Sequence, residues 1–306
     1  MPVPFRAKDQ LNHDLDASSP WQSNTAQCLP GHPRIRLSDI QSLTSFLETE
    51  IYSNDLEQMA PYFWLMSWRR SSNISPLHRQ IVKGRDIVVA EDPSLHLVWR
   101  SSRIHMKPIP AYLLNYAFWK QYLLDDESPL PGRRRVRILR AALGYIRTYY
   151  YLIGHESDYI LAQEKHLIPG SVSWTQFCAF TSNFSAIADG EVSDRYTFGE
   201  LRLHRLNFYC KFILGKFRIH RLPTTYGAYF SRFYAPLLFV FAIFSVILNT
   251  LQVELAAESL TSQKWSNLYT ISRVVSILTL TVSLGLLLWV FILLSFRFTF
   301  EWKYAI

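Results

Sequence analysis

Near its C-terminus the chain reads FYAPLLFVFAIFSVILNTLQV over residues 233–253 and VVSILTLTVSLGLLLWVFILLSF over residues 274–296. Neither stretch contains a charged residue. At about 1.5 Å per helical residue, these stretches would be roughly 31 and 34 Å long, enough to cross a hydrocarbon core of about 30 Å. A helix buried in a soluble protein seldom needs so long an apolar run. The sequence therefore predicts transmembrane helix 1 and transmembrane helix 2, with a long buried hairpin as the alternative.

Aromatic and basic residues near these stretches predict the orientation of the hairpin. Aromatic rings, which favour the headgroup level of a bilayer, flank both spans, namely Tyr226, Tyr229, Phe230, Tyr234, Trp265, Tyr269, Trp302 and Tyr304. Lys216, Arg218, Arg221 and Arg232 precede the first span without a nearby acid, whereas Glu254 and Glu258 balance Lys264 and Arg273 in the connecting loop. The excess of basic residues on the cytosolic side predicts that residues 254–273 form a non-cytosolic loop and residues 297–306 a cytosolic tail. Both termini are then cytosolic, in a membrane whose identity the sequence leaves open.

The remainder of the chain divides into an arm and a domain. Residues 1–33 are rich in polar residues and lack a signal-peptide core, so they predict a disordered N-terminal arm. Residues 34–232 are long enough to bury one core and predict a cytosolic, mainly helical domain. Cys28, Cys178 and Cys210 are widely spaced, which disfavours a disulfide framework or a zinc motif.

Hydrophobic periodicity and turn residues give the elements of this domain. Helices are predicted at residues 38–52, 54–61, 76–84, 111–124, 133–166 with a break at Gly154, 173–188 and 198–219. Short strands at residues 87–89, 95–99 and 103–107 predict an antiparallel β-meander near residues 86–107, the only sheet expected. The aromatic run at residues 62–68 is interpreted as core, with a membrane-dipping segment as the alternative. The predicted fold class is mainly α with a small antiparallel meander, followed by a two-helix transmembrane hairpin.

The densest cluster of positive charge is the first candidate site. The net charge of the chain is +8, yet no nucleic-acid-binding motif accompanies it, so no nucleic-acid partner is expected. Attraction to an anionic cytosolic leaflet is the better interpretation of the net charge. The candidate lipid-binding cluster lies on one helix, although a solvated helix face is the favoured interpretation of the cluster itself; its members are Arg133, Arg134, Arg135, Arg137 and Arg140, with Arg147 further along. Such a solvated face would be paired with Asp125, Asp126 and Glu127.

Polar residues around the predicted meander form a second, less favoured candidate site. Asp92, His96 and His105 are its members, with Asp86 and Glu91 nearby; acidic turn residues and strand-surface histidines are the alternative interpretation. A separate group contains metal-ligand residue types but lacks zincin spacing, namely His155, Glu156, Asp158 and His166. The chain contains no nucleophile elbow, P-loop or dinucleotide-binding fingerprint. We therefore assign no catalytic residue, no metal site and no cofactor.

Several segments together resemble a known protein family. They read LHRQIVKGR at residues 77–85, EDPSLHLVW at 91–99, RTYYYL at 147–152, GELRL at 199–203 and YGAYF at 226–230. They are similar to an uncharacterised family of filamentous-fungal membrane proteins that is defined by a domain of unknown function. Members have sometimes been labelled subtilisin-like serine proteases, but Gly154-His155-Glu156 is the nearest approach to that enzyme's motifs. The resemblance implies a membrane topology and a fungal source, and it implies no activity.

Three functional hypotheses follow from the sequence. The leading one is a non-catalytic integral membrane protein whose cytosolic domain binds a partner protein or the anionic leaflet. The second is a subunit of an oligomeric ion channel or transporter with two spans per chain, which makes a homo-oligomer the expected partner. Leu248-Asn249-Thr250 stands where CorA-type transporters carry Gly-Met-Asn. The third is a membrane-bound enzyme of unrecognised type that uses Asp92, His96 and His105.

Overall fold

The computed structural model describes residues 2–16, 28–216, 219–220, 226–260 and 266–302. The chain forms two compact units, Met1–Arg221 and Leu222–Ile306. This boundary precedes residue 233, where the cytosolic domain was expected to give way to the first span. The hydrophobic helix begins earlier than its uncharged part, so the second unit also includes the flanking aromatic and basic residues.

The first unit is mainly helical, as predicted. Its helices are α1 Ile40–Ile51, α2 Asn54–Met59, α3 Leu77–Val82, α4 Tyr116–Phe118, α5 Gly132–Leu152, α6 Glu156–Glu164, α7 Trp174–Thr181 and α8 Leu203–Ile213. A π-helical turn, Trp119–Leu124, follows α4. Short 3-10 turns connect these elements, at Ala7–Asp9, Ala60–Leu65, Pro93–Leu95, Ala111–Leu114, Phe184–Ala186 and Asp194–Thr197.

Side-chain caps explain where several helices begin. The predicted capping box of α7 is present, because the Ser173 amide donates to Gln176 Oε1 at 2.8 Å and the Gln176 amide to Ser173 Oγ at 3.3 Å. Helix α1 is capped one residue later than expected, by Asp39. The predicted break at Gly154 is confirmed, since it separates α5 from α6.

The predicted meander is wrong in its topology. Strands β3 Asp86–Val89, β4 Val98–Arg100, β5 Arg103–Met106 and β6 Leu201–Arg202 form one sheet in the order β3-β5-β4-β6. Only β4 and β5 pair antiparallel; β3 is parallel to β5 and β4 is parallel to β6. A 3-10 turn at Pro93–Leu95, followed by Leu97 at φ 59°, carries the chain past β5 instead of reversing it beside β3. The meander was also expected to be the only sheet, but β1 Cys28–Leu29 and β2 His32–Arg36 form an antiparallel pair.

The core of the first unit is built around α5, whose Ala142, Ile146 and Tyr149 are fully buried. The N-terminal residues pack against the same core, which differs from the predicted disordered arm. Phe5 is buried, and its ring centroid lies 4.6 Å from that of Phe180. The polar composition of the N-terminal residues did not predict this packing, because a few apolar side chains are enough to dock a short segment.

The aromatic run at residues 62–68 is only partly core, contrary to the prediction. The 3-10 turn repeats every three residues, so Ala60, Phe63 and Met66 share one buried face. Trp64 lies off this face and is 67% exposed, and Trp68, which follows the end of the turn, is 86% exposed.

The second unit consists of two long helices, α9 Tyr226–Leu260 and α10 Ser266–Trp302. Among the described residues, one helix is long and apolar enough to cross a membrane: the segment Leu238–Ala257 of α9, with a mean hydropathy of 1.9. In α10 the apolar segment identified is shorter, Arg273–Leu286. A membrane helix is thus supported, whereas the two-helix hairpin is not confirmed.

Candidate functional site

The predicted arginine cluster lies at the start of α5, and its members make different contacts. The Arg135 guanidinium donates to the backbone carbonyl of Asp125, and it lies 4.0 Å from the Asp126 carboxylate. Arg134 Nε is 3.8 Å from Glu48 Oε2. Arg133 is exposed. The predicted pairing with the acidic loop therefore holds for Arg135, while Arg134 is near an acid on α1.

Arg140 and Arg147 hold backbone segments in place. Arg140 Nε donates to the Val192 carbonyl at 3.1 Å. Arg147 is buried, donates to the carbonyls of Ile187 and Tyr196, and pairs with Asp189 at 2.9 Å. These two side chains support the loops that pack on α5, which reduces the part of the cluster available to a ligand.

A polar cleft of about 280 Å³ lies beside the cluster. Its lining combines basic, acidic and neutral polar side chains: Tyr52, Glu57, Gln58, Arg137, Arg140, Ser193 and Asp194. Burial raises the pKa of Glu57 and also that of Tyr52. The two guanidinium groups can attract an anion here, but Asp194 on the same wall opposes that attraction.

His96 is a structural core histidine. It is buried against the rings of Tyr145 and Tyr149. Its Nδ1 accepts from the Lys107 amide at 3.2 Å, so Nε2 carries the proton and donates to Thr148 Oγ1 at 2.9 Å. Burial lowers the pKa of His96 well below its ordinary value, reinforced by the charges of Arg195 and Lys107. The imidazole is therefore neutral and fully satisfied.

His105 and Asp92 each make a separate hydrogen bond with the backbone. His105 is buried on β5, where its Nδ1 donates to the Val98 carbonyl at 3.0 Å. Asp92 caps the turn at Pro93–Leu95 by accepting from the Ser94 amide at 2.9 Å. No contact joins Asp92, His96 and His105 in the part of the chain that the structure describes. The predicted polar site is thus three separate structural contacts.

Sequence reasoning missed a Ser–His–Asp cluster that Asp92 does form. His220 Nε2 lies 3.3 Å from Asp92 Oδ2 and also contacts Ser94 Oγ. The Ser94 hydroxyl lies 2.5 Å from Asp92 Oδ1. A catalytic triad needs the serine on one ring nitrogen and the acid on the other, whereas both partners here approach Nε2. The cluster therefore ties residue 220 to the turn and lacks the geometry for nucleophilic catalysis.

The residues with metal-ligand chemistry near α6 are engaged in capping. Asp158 is fully buried and accepts from the amides of His78 at 2.7 Å and His155 at 3.0 Å, and from His78 Nδ1 at 2.7 Å. These bonds join α3 to α6. Over the residues that the structure describes, no three His, Cys, Asp or Glu side chains are grouped to hold a metal ion.

One exposed surface of the first unit combines aromatic and basic side chains, and we term it the aromatic–basic patch: Trp64, Trp68, Arg69, Arg205, Phe208 and Phe212. Two clefts of about 420 Å³ each adjoin it, and both are lined by Trp64 and Arg69. Arg205 Nη1 donates to the Met66 carbonyl at 2.6 Å, which joins α8 to the tryptophan turn. Residues 205, 208 and 212 are spaced by three and four, so they share one face of α8.

Comparison with known proteins gives one match. The family model described as "Family of unknown function (DUF6601)" matches residues 43–283, which confirms the predicted resemblance to a family defined by such a domain. The matched segment extends from α1 into α10. No curated protein and no solved structure matches the chain. The fungal source stays a prediction.

Proposed function

The chain belongs to the family of unknown function (DUF6601), and we propose that it is an integral membrane protein whose helical unit binds at the cytosolic membrane surface. Helix α9 carries this proposal. Its segment Leu238–Ala257 presents Phe239, Phe241 and Val246 with at least 65% of each residue exposed. So many large apolar side chains on one helix are stable only against lipid or another protein. Lipid is favoured because the segment is long enough to span a bilayer.

We further propose that α10 forms a second span and returns the chain to the cytosol. The uncharged stretch at residues 274–296 supports this, because α10 is helical throughout it. Basic residues before the first stretch and after the second support cytosolic termini. Residues 254–273 would then form the non-cytosolic loop.

The function of the helical unit is proposed to be binding, to an anionic leaflet or to a partner protein there. Each candidate catalytic side chain has a structural partner instead: His96 with Thr148, His105 with Val98, and Asp92 with the Ser94 turn. The arginines at the start of α5 supply positive charge at the surface, where one without an acidic neighbour adds about 1 kcal/mol of attraction to an anionic membrane, and the acids near Arg134 and Arg135 reduce their contribution. Arg133, exposed at the first turn, is the best placed of them.

Membrane anchoring is tested on the full chain by alkaline carbonate extraction. The natural chain is expected in the membrane pellet. Phe241→Arg places a charge in the middle of α9 and is expected to release much of the protein, since a central arginine costs about 2.5–3.5 kcal/mol of insertion free energy. Phe241→Leu is the matched control and should remain in the pellet. Complete extraction of the natural chain would contradict the proposal.

Topology is tested with acceptor sites for glycosylation. An acceptor introduced at Ser262 is expected to be modified in the lumen, whereas acceptors at residues 1 and 306 are expected to remain unmodified. Modification at residue 306 together with residue 262 would show that only α9 crosses the membrane. Modification at residue 1 with no modification at residue 262 would invert the proposed orientation.

A further inference from the structure

We infer that the aromatic–basic patch is a second membrane contact, which inserts its tryptophans into the headgroup layer of an anionic bilayer. This inference rests on the proposed function, because α9 must hold the protein at a membrane. It names the surface of the helical unit that meets the lipid, at a place distinct from the arginine cluster of α5.

The tryptophans are exposed by the fold itself. Phe63 and Met66 are buried beneath the 3-10 turn, and the Phe63 ring packs edge-on against Phe198 with centroids 5.4 Å apart. Trp64 in the turn and Trp68 just after it are among the most exposed large side chains described. Water is a poor environment for two indoles, whereas the headgroup layer accommodates both their apolar body and their polar N–H.

Helix α8 extends the same surface with further apolar groups. Phe208 and Phe212 are 53% and 75% exposed, and their ring centroids lie 5.5 Å apart. Because Arg205 on the same face of α8 donates to the Met66 carbonyl, these rings and the tryptophan turn belong to one surface. Two separate segments of the chain thus contribute aromatic side chains to a common patch.

The charge of the patch is complementary to anionic lipid. Arg69 and Arg205 are exposed members of the patch, and Arg70, the residue after Arg69, is exposed as well. The cleft lined by Trp64, Trp68 and Arg205 has no acidic residue among its lining side chains, whereas the other adjoining cleft has one, Asp194. Arginines next to exposed tryptophans can bind a negatively charged headgroup layer, with the guanidinium groups on phosphate and the indoles below them.

The patch is also held in place before any contact with lipid. The buried face of the turn and the bond from Arg205 fix the backbone that carries Trp64 and Trp68. Binding therefore costs little conformational entropy, since only the exposed side chains have to become ordered.

Chain connectivity keeps the patch near the bilayer. Helix α8 ends at Ile213 and α9 begins at Tyr226, thirteen residues later. A fully extended connection of that length spans at most about 45 Å. Once α9 lies in a bilayer, the end of α8 stays within that distance of the start of α9. The effective concentration of the patch at the bilayer surface is then high, so even a weak lipid contact is populated.

The experiment places a nitroxide label in the patch of the full chain in vesicles. Ser67→Cys, in a background with Cys28→Ser and Cys178→Ser, puts the label between the two tryptophans without removing either. Cys210 is buried and is left in place. The control is the chain with Cys28→Ser alone, labelled at the exposed Cys178. Collisions with a polar nickel chelate in water and with oxygen dissolved in lipid report how deeply each label lies.

We expect the label at residue 67 to collide with the chelate on the order of tenfold less often than the label at Cys178, because polar solutes are excluded from the apolar layer. Adding Trp68→Ala to the labelled Ser67→Cys chain should restore most of those collisions. Equal chelate access at both labels, in vesicles that retain the protein through carbonate extraction, would overturn the inference and leave the proposed function standing. Loss of the protein from the vesicles would overturn the proposed function itself.

A change in the charge of the lipid distinguishes binding of the patch to a membrane from binding to a protein partner. In vesicles of phosphatidylcholine alone, and in the double variant Arg69→Gln, Arg70→Gln, the label at residue 67 should become more accessible than in vesicles containing phosphatidylserine. Arg79→Gln, an exposed arginine outside the patch, is the matched control and should change nothing. Protection in native membranes, but in no purified lipid, would overturn the lipid assignment and identify a protein partner instead.

Discussion

Arg147 illustrates how a charged residue of this chain serves the fold. It is buried, and it donates to the carbonyls of Ile187 at 2.8 Å and Tyr196 at 2.9 Å. Arg147→Gln should lower the free energy of unfolding by roughly 2–4 kcal/mol, because buried acceptors lose their donor. Urea unfolding of the protein in mild detergent measures the loss. Arg133→Gln, at an exposed position of the same helix, should leave the midpoint unchanged; an equal loss in both variants would contradict the structural role of Arg147.

His96 makes the stability of the first unit sensitive to pH. Its pKa lies well below the ordinary value of 6.5 because the side chain is buried. Below about pH 6.5 the unfolded chain therefore takes up a proton that the folded chain does not bind. Stability should fall as the pH drops through this range, by up to about 1.4 kcal/mol per pH unit.

His96→Gln should remove that contribution to the slope, whatever it does to stability at neutral pH. The measurement is the urea midpoint between pH 7.5 and pH 5. His204→Gln, which changes an exposed histidine on α8, is the control and should keep the slope of the natural chain. An unchanged slope in His96→Gln would show that this imidazole is not the group responsible.

Residue identity alone does not reveal these roles. Arg147 was counted with a surface cluster, and His96 with a polar site, because the sequence shows charge but not the contacts that bury it. The partners of Arg147 are carbonyls 40 and 49 residues away, at Ile187 and Tyr196. Carbonyl groups belong to every residue, so no sequence pattern marks which of them will accept a bond.

At the scale of the element, α5 depends on a close approach at Gly144. A Cβ added there would lie 2.5 Å from the Tyr196 ring. Gly144→Ala should therefore destabilise the unit by roughly 1–3 kcal/mol through overpacking, although alanine gains about 1 kcal/mol in helix propensity. Gly132→Ala on the same helix meets no atom within 4 Å and should be neutral or stabilising. The midpoints of thermal unfolding of the two variants test this prediction. A Gly144→Ala variant that is more stable than the natural chain would contradict the packing described.

The elements were predicted well where their signals are local. The capping box at Ser173, the break at Gly154 and the proline that opens α3 all act within a few residues, so α7, α5, α6 and α3 were located from sequence. The sheet was not, since β6 pairs with β4 across about one hundred residues. A strand of two residues has almost no periodicity of its own, and it was therefore assigned to the following helix. Trp64 was misplaced because a 3-10 turn changes which side chains share a face, and Trp68 lies beyond the end of that turn.

At the scale of the whole molecule, the first unit has its own core and should fold without the second. We expect a fragment of residues 1–221 to show cooperative thermal unfolding by circular dichroism. A fragment of residues 1–200 is the control and should be unfolded, because it lacks β6 and α8, whose Leu201, Leu203 and Leu206 are buried. If the fragment of residues 1–200 shows the same cooperative transition as the fragment of residues 1–221, β6 and α8 are not needed to complete the unit.

The late position of β6 also has a consequence for biosynthesis. The four-stranded sheet cannot close until residue 202 has been translated, and the first uncharged stretch begins at residue 233. At about 5–20 residues per second, only roughly 2–6 s separate these two events. The sheet therefore has to close within this interval if the domain is to be complete before the hydrophobic helix is translated. Codons that slow translation between residues 203 and 232 would lengthen this interval, and chaperones that act on unfinished domains would have their main opportunity within it.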